Sequence, residues 1–143
     1  MTATRRAQRP LNDSDYERLA EFRYVLRHFL IFSENAAATA GLSAQQHQAL
    51  LAIKAASGKQ PVTAGLLAEK LGIRHHSAVG LIDRLEENAL IKRQRNTADR
   101  RQVLILLTPK AERLLAQLSA AHQRELKRVA PLLRGLLNQL TRR

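Results

Sequence analysis

There is no cysteine among the 143 residues. That excludes disulfides, thiolate metal sites and thiol redox sensing, and it fits a reducing compartment. Tryptophan is also absent, and the aromatics are two tyrosines and three phenylalanines. Tyr16, Phe22, Tyr24, Phe29 and Phe32 all fall on one segment at helical intervals, where aromatic side chains are core by default. No apolar run reaches membrane-spanning length, so no membrane partner is expected. Arg5, Arg6 and Arg9 are not followed by an apolar stretch, so the start does not read as a signal peptide, and cytoplasm is the expected location. There is no Gly-rich phosphate loop, no nucleophile with a matched base and no carboxylate pair in an evident pocket. An enzyme is therefore not expected, and no cofactor or metal is either. Acidic residues are scarce, 12 against 24 basic, which leaves a net charge of +12.

What is present is a folding sequence. Apolar residues make up 45%, and the length suits about one domain with a real core. The basic residues are mostly arginine, whose planar fork suits phosphates and guanine edges. A basic balance alone also arises in organisms whose proteins are generally basic. Clustering argues against that here, because Arg93, Arg95, Arg100 and Arg101 crowd one predicted hairpin.

Periodicity gives a mainly α fold with a small β wing. Residues 1–12 read as a flexible basic tail. Asn12 or Asp13 caps a first helix that runs to about Ala40, and Gly41 stops it. Ser43 caps a helix over Ala44–Ala56, anchored by Leu50, Leu51 and Ile53. Pro61 to Thr63 forms a short extended link. Thr63 then caps Ala64–Leu71, Gly72 makes the turn, and Ile73 plugs the corner. A helix over His76–Asn88 buries Ala78, Leu81, Ile82 and Leu85. Strands over Leu90–Arg95 and Gln102–Leu107 flank a tip of residues 96–101. Thr108 and Pro109 start another helix, which Pro131 is expected to break before a last leucine-lined helix. The division is residues 41–108 as a winged helix-turn-helix lobe, with 13–40 and 109–143 as helical dimerisation segments. Those terminal segments carry more apolar surface than such a lobe needs, and monomers avoid exposing large apolar patches.

A helix that fits a major groove, followed by a basic wing, is a DNA-reading device. The expected partner is double-stranded DNA. First-turn residues of such a helix reach base edges, which selects His75, His76 and Ser77. Val79 can meet a thymine methyl. Gly80 either lets the backbone approach the groove or reflects drift. Arg84 is a phosphate clamp or an intramolecular partner for a carboxylate. Arg93 and Arg95 alternate on one strand face and are expected at phosphates. Asp99 can bond local amides and pair with Arg101, leaving Arg100 or Arg101 to enter a narrow minor groove. His75 and His76 point about 100 degrees apart on a helix, a poor geometry for sharing a metal ion. Tyr24, Arg27, His28 and His47 are candidate contacts to a ligand, an anionic one for the first three. His28 and His47 are otherwise buried, satisfied histidines.

The sequence resembles the multiple-antibiotic-resistance regulator family, MarR. The family's A-E-x-L-G-[IL] is Ala68-Glu69-Lys70-Leu71-Gly72-Ile73, and its L-[VI]-D-R-L-E is Leu81-Ile82-Asp83-Arg84-Leu85-Glu86. Its wing signature D-x-R is Asp99-Arg100-Arg101, and the following L-T-x-x-[AG] is Leu107-Thr108-Pro109-Lys110-Ala111. The likeness extends over roughly residues 15 to 140. It implies a homodimer with intertwined terminal helices, a repressor that binds a pseudo-palindromic operator, and a small phenolic or anionic effector. The chain departs from the pattern in three places. Val79 and Gly80 stand where polar residues are frequent, and Ala89 replaces a glycine after the recognition helix, leaving Asn88 to take the left-handed cap. The peroxide-sensing thiol is missing. The alternative to sequence-specific regulation is an architectural protein that coats DNA without reading it.

Overall fold

The computed structural model describes residues 9–142. The first eight residues of the expected basic tail, with Arg5 and Arg6, lie outside the described residues. The element order is α1 (Asp13–Thr39), α2 (Ala44–Ala56), α3 (Ala64–Leu71), α4 (His75–Glu87), β1 (Ile91–Arg95), β2 (Val103–Leu107) and α5 (Pro109–Thr141). Among the described residues, no helix is long and apolar enough to cross a membrane.

Local chemistry sets the helix boundaries. Asn12 and Asp15 exchange side-chain-to-backbone bonds of 3.0 Å at the start of α1. Ser43 and Gln46 form the same reciprocal box at α2. Thr63 Oγ1 accepts from the Leu66 amide at α3, and Thr108 Oγ1 from the Ala111 amide at α5. At the other end, α4 closes with a Schellman pair: Leu90 N–H donates to the Leu85 carbonyl and Ala89 N–H to that of Glu86.

That closure corrects one expectation. Asn88 stays right-handed at φ −86°, and Ala89 takes the left-handed position at φ +56°. The motif places its left-handed residue immediately before the 6→1 donor. Burial of Leu85 and Leu90 fixes that donor as Leu90, so Ala89 must turn.

The contacts divide the chain into two compact units. One comprises residues 32–123 and contains the helix-turn-helix and the wing. Its core joins Leu50 and Ile53 of α2, Leu67 of α3, Leu81 and Leu85 of α4 and Ile105 of β2. Each such side chain contributes roughly 1.5–3 kcal/mol by leaving water. Ala37 of α1 and Ala111, Leu115 and Leu118 of α5 complete it. Leu51, expected as a third anchor of α2, is 49% exposed. The inward face of α2 runs through Gln46, Ala49, Leu50, Ile53 and Ala56, and Leu51 lies about 100 degrees round from Leu50. β1 and β2 pair antiparallel, with Arg93 opposite Ile105. The extended link joins this sheet through one bond, from the Ile105 amide to the Val62 carbonyl, 2.8 Å.

The other unit comprises the described residues up to Ile31 and from Arg124 onward. Val25, Val129 and Leu136 are buried there, with Phe22 and Leu133 packed against them. Pro131 does not break the helix, because α5 is continuous from Pro109 to Thr141. Val129 before the proline and Leu136 after it enter the same cluster. Their shared burial offsets the lost backbone bond.

Candidate nucleic-acid interface

α4 begins after Arg74, which makes no side-chain cap. The first-turn amides therefore have no side-chain acceptor, a favourable state for meeting an anion. His75, His76 and Val79 are exposed on this helix, and Ser77 and Gly80 are half-buried. The opposite face, through Ala78, Leu81, Ile82 and Leu85, is buried. The sequence candidates thus share the outward side of α4.

Arg84 is exposed, and among the described residues no carboxylate pairs with it. Its Nη1 lies 3.6 Å from the point where a Cβ on Gly80 would sit. The glycine leaves the guanidinium room to lie along the helix. Of the two roles open to Arg84, an intramolecular ion pair is not the one adopted.

Arg93 behaves differently from its sequence reading. Its Nη2 donates to Asp83 Oδ1, and its Nη1 donates to Glu86 Oε1 at 2.7 Å. The guanidinium is held above even its usual range, chiefly by the bond to Asp83. A fork already engaged by two carboxylates is poorly placed to take a phosphate. Arg95, two residues on, is exposed and lines a depression of about 230 Å³ with Asn96, Thr97 and Arg100.

The wing tip is ordered by its own polar side chains. Asn96 Oδ1 accepts from the Ala98 amide at 3.0 Å, and Asn96 Nδ2 donates to Gln102 Oε1 at 3.0 Å. Asp99 Oδ1 accepts from the Arg101 amide at 3.1 Å and from its Nε at 3.3 Å. The Arg101 side chain is nevertheless 92% exposed. An exposed pair of this kind contributes at most about 1 kcal/mol of stability, so its effect is to orient the side chain.

The candidate ligand residues are divided between the two units. Tyr24 and His28 are exposed, with ring centroids 4.2 Å apart, and Arg27 is exposed on the same helix. His47 belongs to the other unit and is 5% exposed. It packs on His122 at 4.9 Å between ring centroids. Among the described residues, no group of three or more acidic or histidine side chains is arranged to hold a metal.

The chain is similar to known proteins in sequence and fold. Residues 40–102 match the family model described as MarR family. That segment is of MarR-family type. A segment of 67 residues is 37% identical to the uncharacterized HTH-type transcriptional regulator YfiV of Bacillus subtilis, covering 47% of this chain and 42% of YfiV. The match thus spans less than half the length of that curated relative. CouR from Rhodococcus jostii, solved bound to p-coumaroyl-CoA, is 25% identical with a TM-score of 0.64. That match covers 82% of this chain and 87% of CouR. A mutant of MepR from S. aureus, bound to an oligodeoxyribonucleotide, shares the fold at 18% identity with a TM-score of 0.68. It covers 78% of this chain and 80% of its own.

Three features of this chain were not visible in its sequence. Asp83 and Glu86 hold Arg93, a pairing that becomes visible once β1 is laid beside α4. Lys110 Nζ donates to the Asn88 carbonyl at 2.9 Å, capping α4 from α5. His122 bridges the Leu118 carbonyl and Ser33 Oγ, at 2.6 and 2.7 Å. The last pair spans 89 positions and leaves no local signal.

Proposed function

We propose that this chain is a sequence-specific DNA-binding transcriptional regulator, acting as a homodimeric, ligand-responsive repressor on a pseudo-palindromic operator. The observation that carries the reading is the uncapped start of α4, with exposed His75 and His76, in one compact unit with a wing of exposed Arg95, Arg100 and Arg101. In this reading α4 enters a major groove. His76 and Ser77 hydrogen-bond base edges, and Val79 meets a thymine methyl. His75, Arg84, Arg95 and Arg100 take phosphates, and Arg101, steadied by Asp99, enters the flanking minor groove.

Exposed leucines support the dimer. Leu19, Leu26 and Leu30 on α1, and Leu126, Leu132 and Leu137 on α5, are 40–56% exposed. Leucine surface on this scale needs a partner, and a second copy supplies the two-fold axis that a palindrome requires. The CouR complex supports a small-molecule effector. Tyr24, Arg27 and His28 are the proposed contacts to it, while His47 acts through packing.

Selection of bound fragments from a random DNA pool, followed by footprinting, tests the proposal. The expected result is two symmetric protected half-sites about one helical turn apart, roughly 34 Å between centres. Equal affinity for selected and random DNA would leave only an architectural coat.

A further inference from the structure

We infer that Arg93 is a positioning residue: clasped by Asp83 and Glu86, it fixes the reach from the recognition helix to the wing. It thereby fixes the DNA spacing over which both can bind. The inference rests on the DNA-binding reading above.

Asp83 and Glu86 stand at i and i+3, so they occupy neighbouring positions on one side of α4. Arg93 is the central residue of β1, opposite Ile105, which is 2% exposed and anchored in the core. Each terminal nitrogen of the guanidinium takes a different carboxylate. A planar fork spanning two acceptors fixes direction as well as distance. Beyond Arg93 the pattern changes. Among the described residues, the side-chain hydrogen bonds of the tip, through Asn96, Asp99 and Arg101, stay within the tip. Arg93 is thus the outermost residue of β1 with a side-chain bond back to α4.

Two other roles for Arg93 make different predictions. As a phosphate contact, it would bring two carboxylates toward the DNA backbone, and the three groups together carry one net negative charge. As a simple neutraliser of those carboxylates, it would be dispensable once they are gone.

The deciding variant is Asp83→Asn with Glu86→Gln, which frees Arg93 and makes the protein more positive by two charges. Phosphate electrostatics alone predicts tighter binding to every DNA. A positioning role predicts the opposite for the operator: its affinity over random DNA falls about tenfold while binding to random DNA holds or rises. Arg93→Lys is the second variant. It keeps the charge, and a phosphate contact would survive it, but an ammonium cannot span both carboxylates as a fork does. The same loss of the operator-to-random ratio is expected, with an unchanged salt slope.

A third readout addresses spacing directly. Moving the flanking A·T tract by one base pair should weaken the wild type and leave both variants nearly indifferent. The inference is overturned if the double variant binds operator and random DNA more tightly in parallel, or if Arg93→Lys keeps the full ratio and the spacing dependence. Wild-type protein with no operator preference would refute the functional reading itself, before any variant is compared, and this inference with it. Circular dichroism confirms folding, and if the double variant does not fold, Arg93→Lys decides alone.

Discussion

Ala89 sits in a backbone region that side chains rarely enter, at φ +56°. A Cβ there crowds the following carbonyl and costs roughly 1–2 kcal/mol. The strain persists because the surroundings over-determine it. The Ala89 N–H donates to Glu86, and its carbonyl accepts from Thr108 Oγ1 at 2.7 Å. Leu90, the next residue, is 1% exposed. Ala89→Gly relieves the clash without removing any of these bonds. It should raise unfolding stability by about 1 kcal/mol, the strain relieved minus the extra entropy of the unfolded glycine chain. Urea midpoints measured at one protein concentration check this. An unchanged or lower midpoint would show that the left-handed turn is not strained in solution.

At the scale of elements, the caps were readable and the exceptions were tertiary. Ser43, Thr63 and Thr108 announced their helices because a cap is a contact across three residues. The outward candidates on α4 followed from periodicity in the same way. Pro131 shows where local rules yield. Its missing N–H and its ring make a break the local expectation, yet Val129 and Leu136 share a buried cluster with Val25. The partners of Arg93 were equally hidden, since Asp83 and Glu86 lie ten and seven residues away on another element. Proline is about 3 kcal/mol worse than alanine inside a helix, and Pro131 is exposed, so it contributes no core contact. Pro131→Ala should therefore stabilise the fold by up to about 3 kcal/mol. A gain in the urea midpoint, with unchanged helical circular dichroism, is the expected result. Loss of stability would mean that the proline shapes a contact the alanine cannot make.

Across the molecule, His47 is the least exposed polar residue among the described residues, and its packing on His122 joins α2 to α5. Ser33 of α1 completes it through His122. Because a carbonyl can only accept, His122 Nδ1 donates to Leu118, and in the neutral ring Nε2 is left to accept from Ser33 Oγ. Phe32 lies edge-on to the same ring, 5.4 Å between centroids. His47 faces that ring from α2 with only 5% of its surface exposed. Burial first, and the neighbouring His122 second, push the His47 pKa below its ordinary 6.5. The sign of the linkage follows. The unfolded chain binds the proton more readily than the folded one, so stability rises with pH in this window. The neutral ring's contribution is complete above pH 6.5. It is lost as pH falls from there through the depressed folded value, below which both states are protonated and the difference becomes constant. Urea unfolding at a fixed protein concentration, at pH values from 7.5 down to 5, should show wild-type stability falling once the pH drops below about 6.5. His47→Gln, which keeps a polar side chain but cannot titrate, should show a flatter profile. Equal slopes for the two proteins would mean that His47 accepts its proton in the folded state as easily as in the unfolded chain, and that the core around it opens to water.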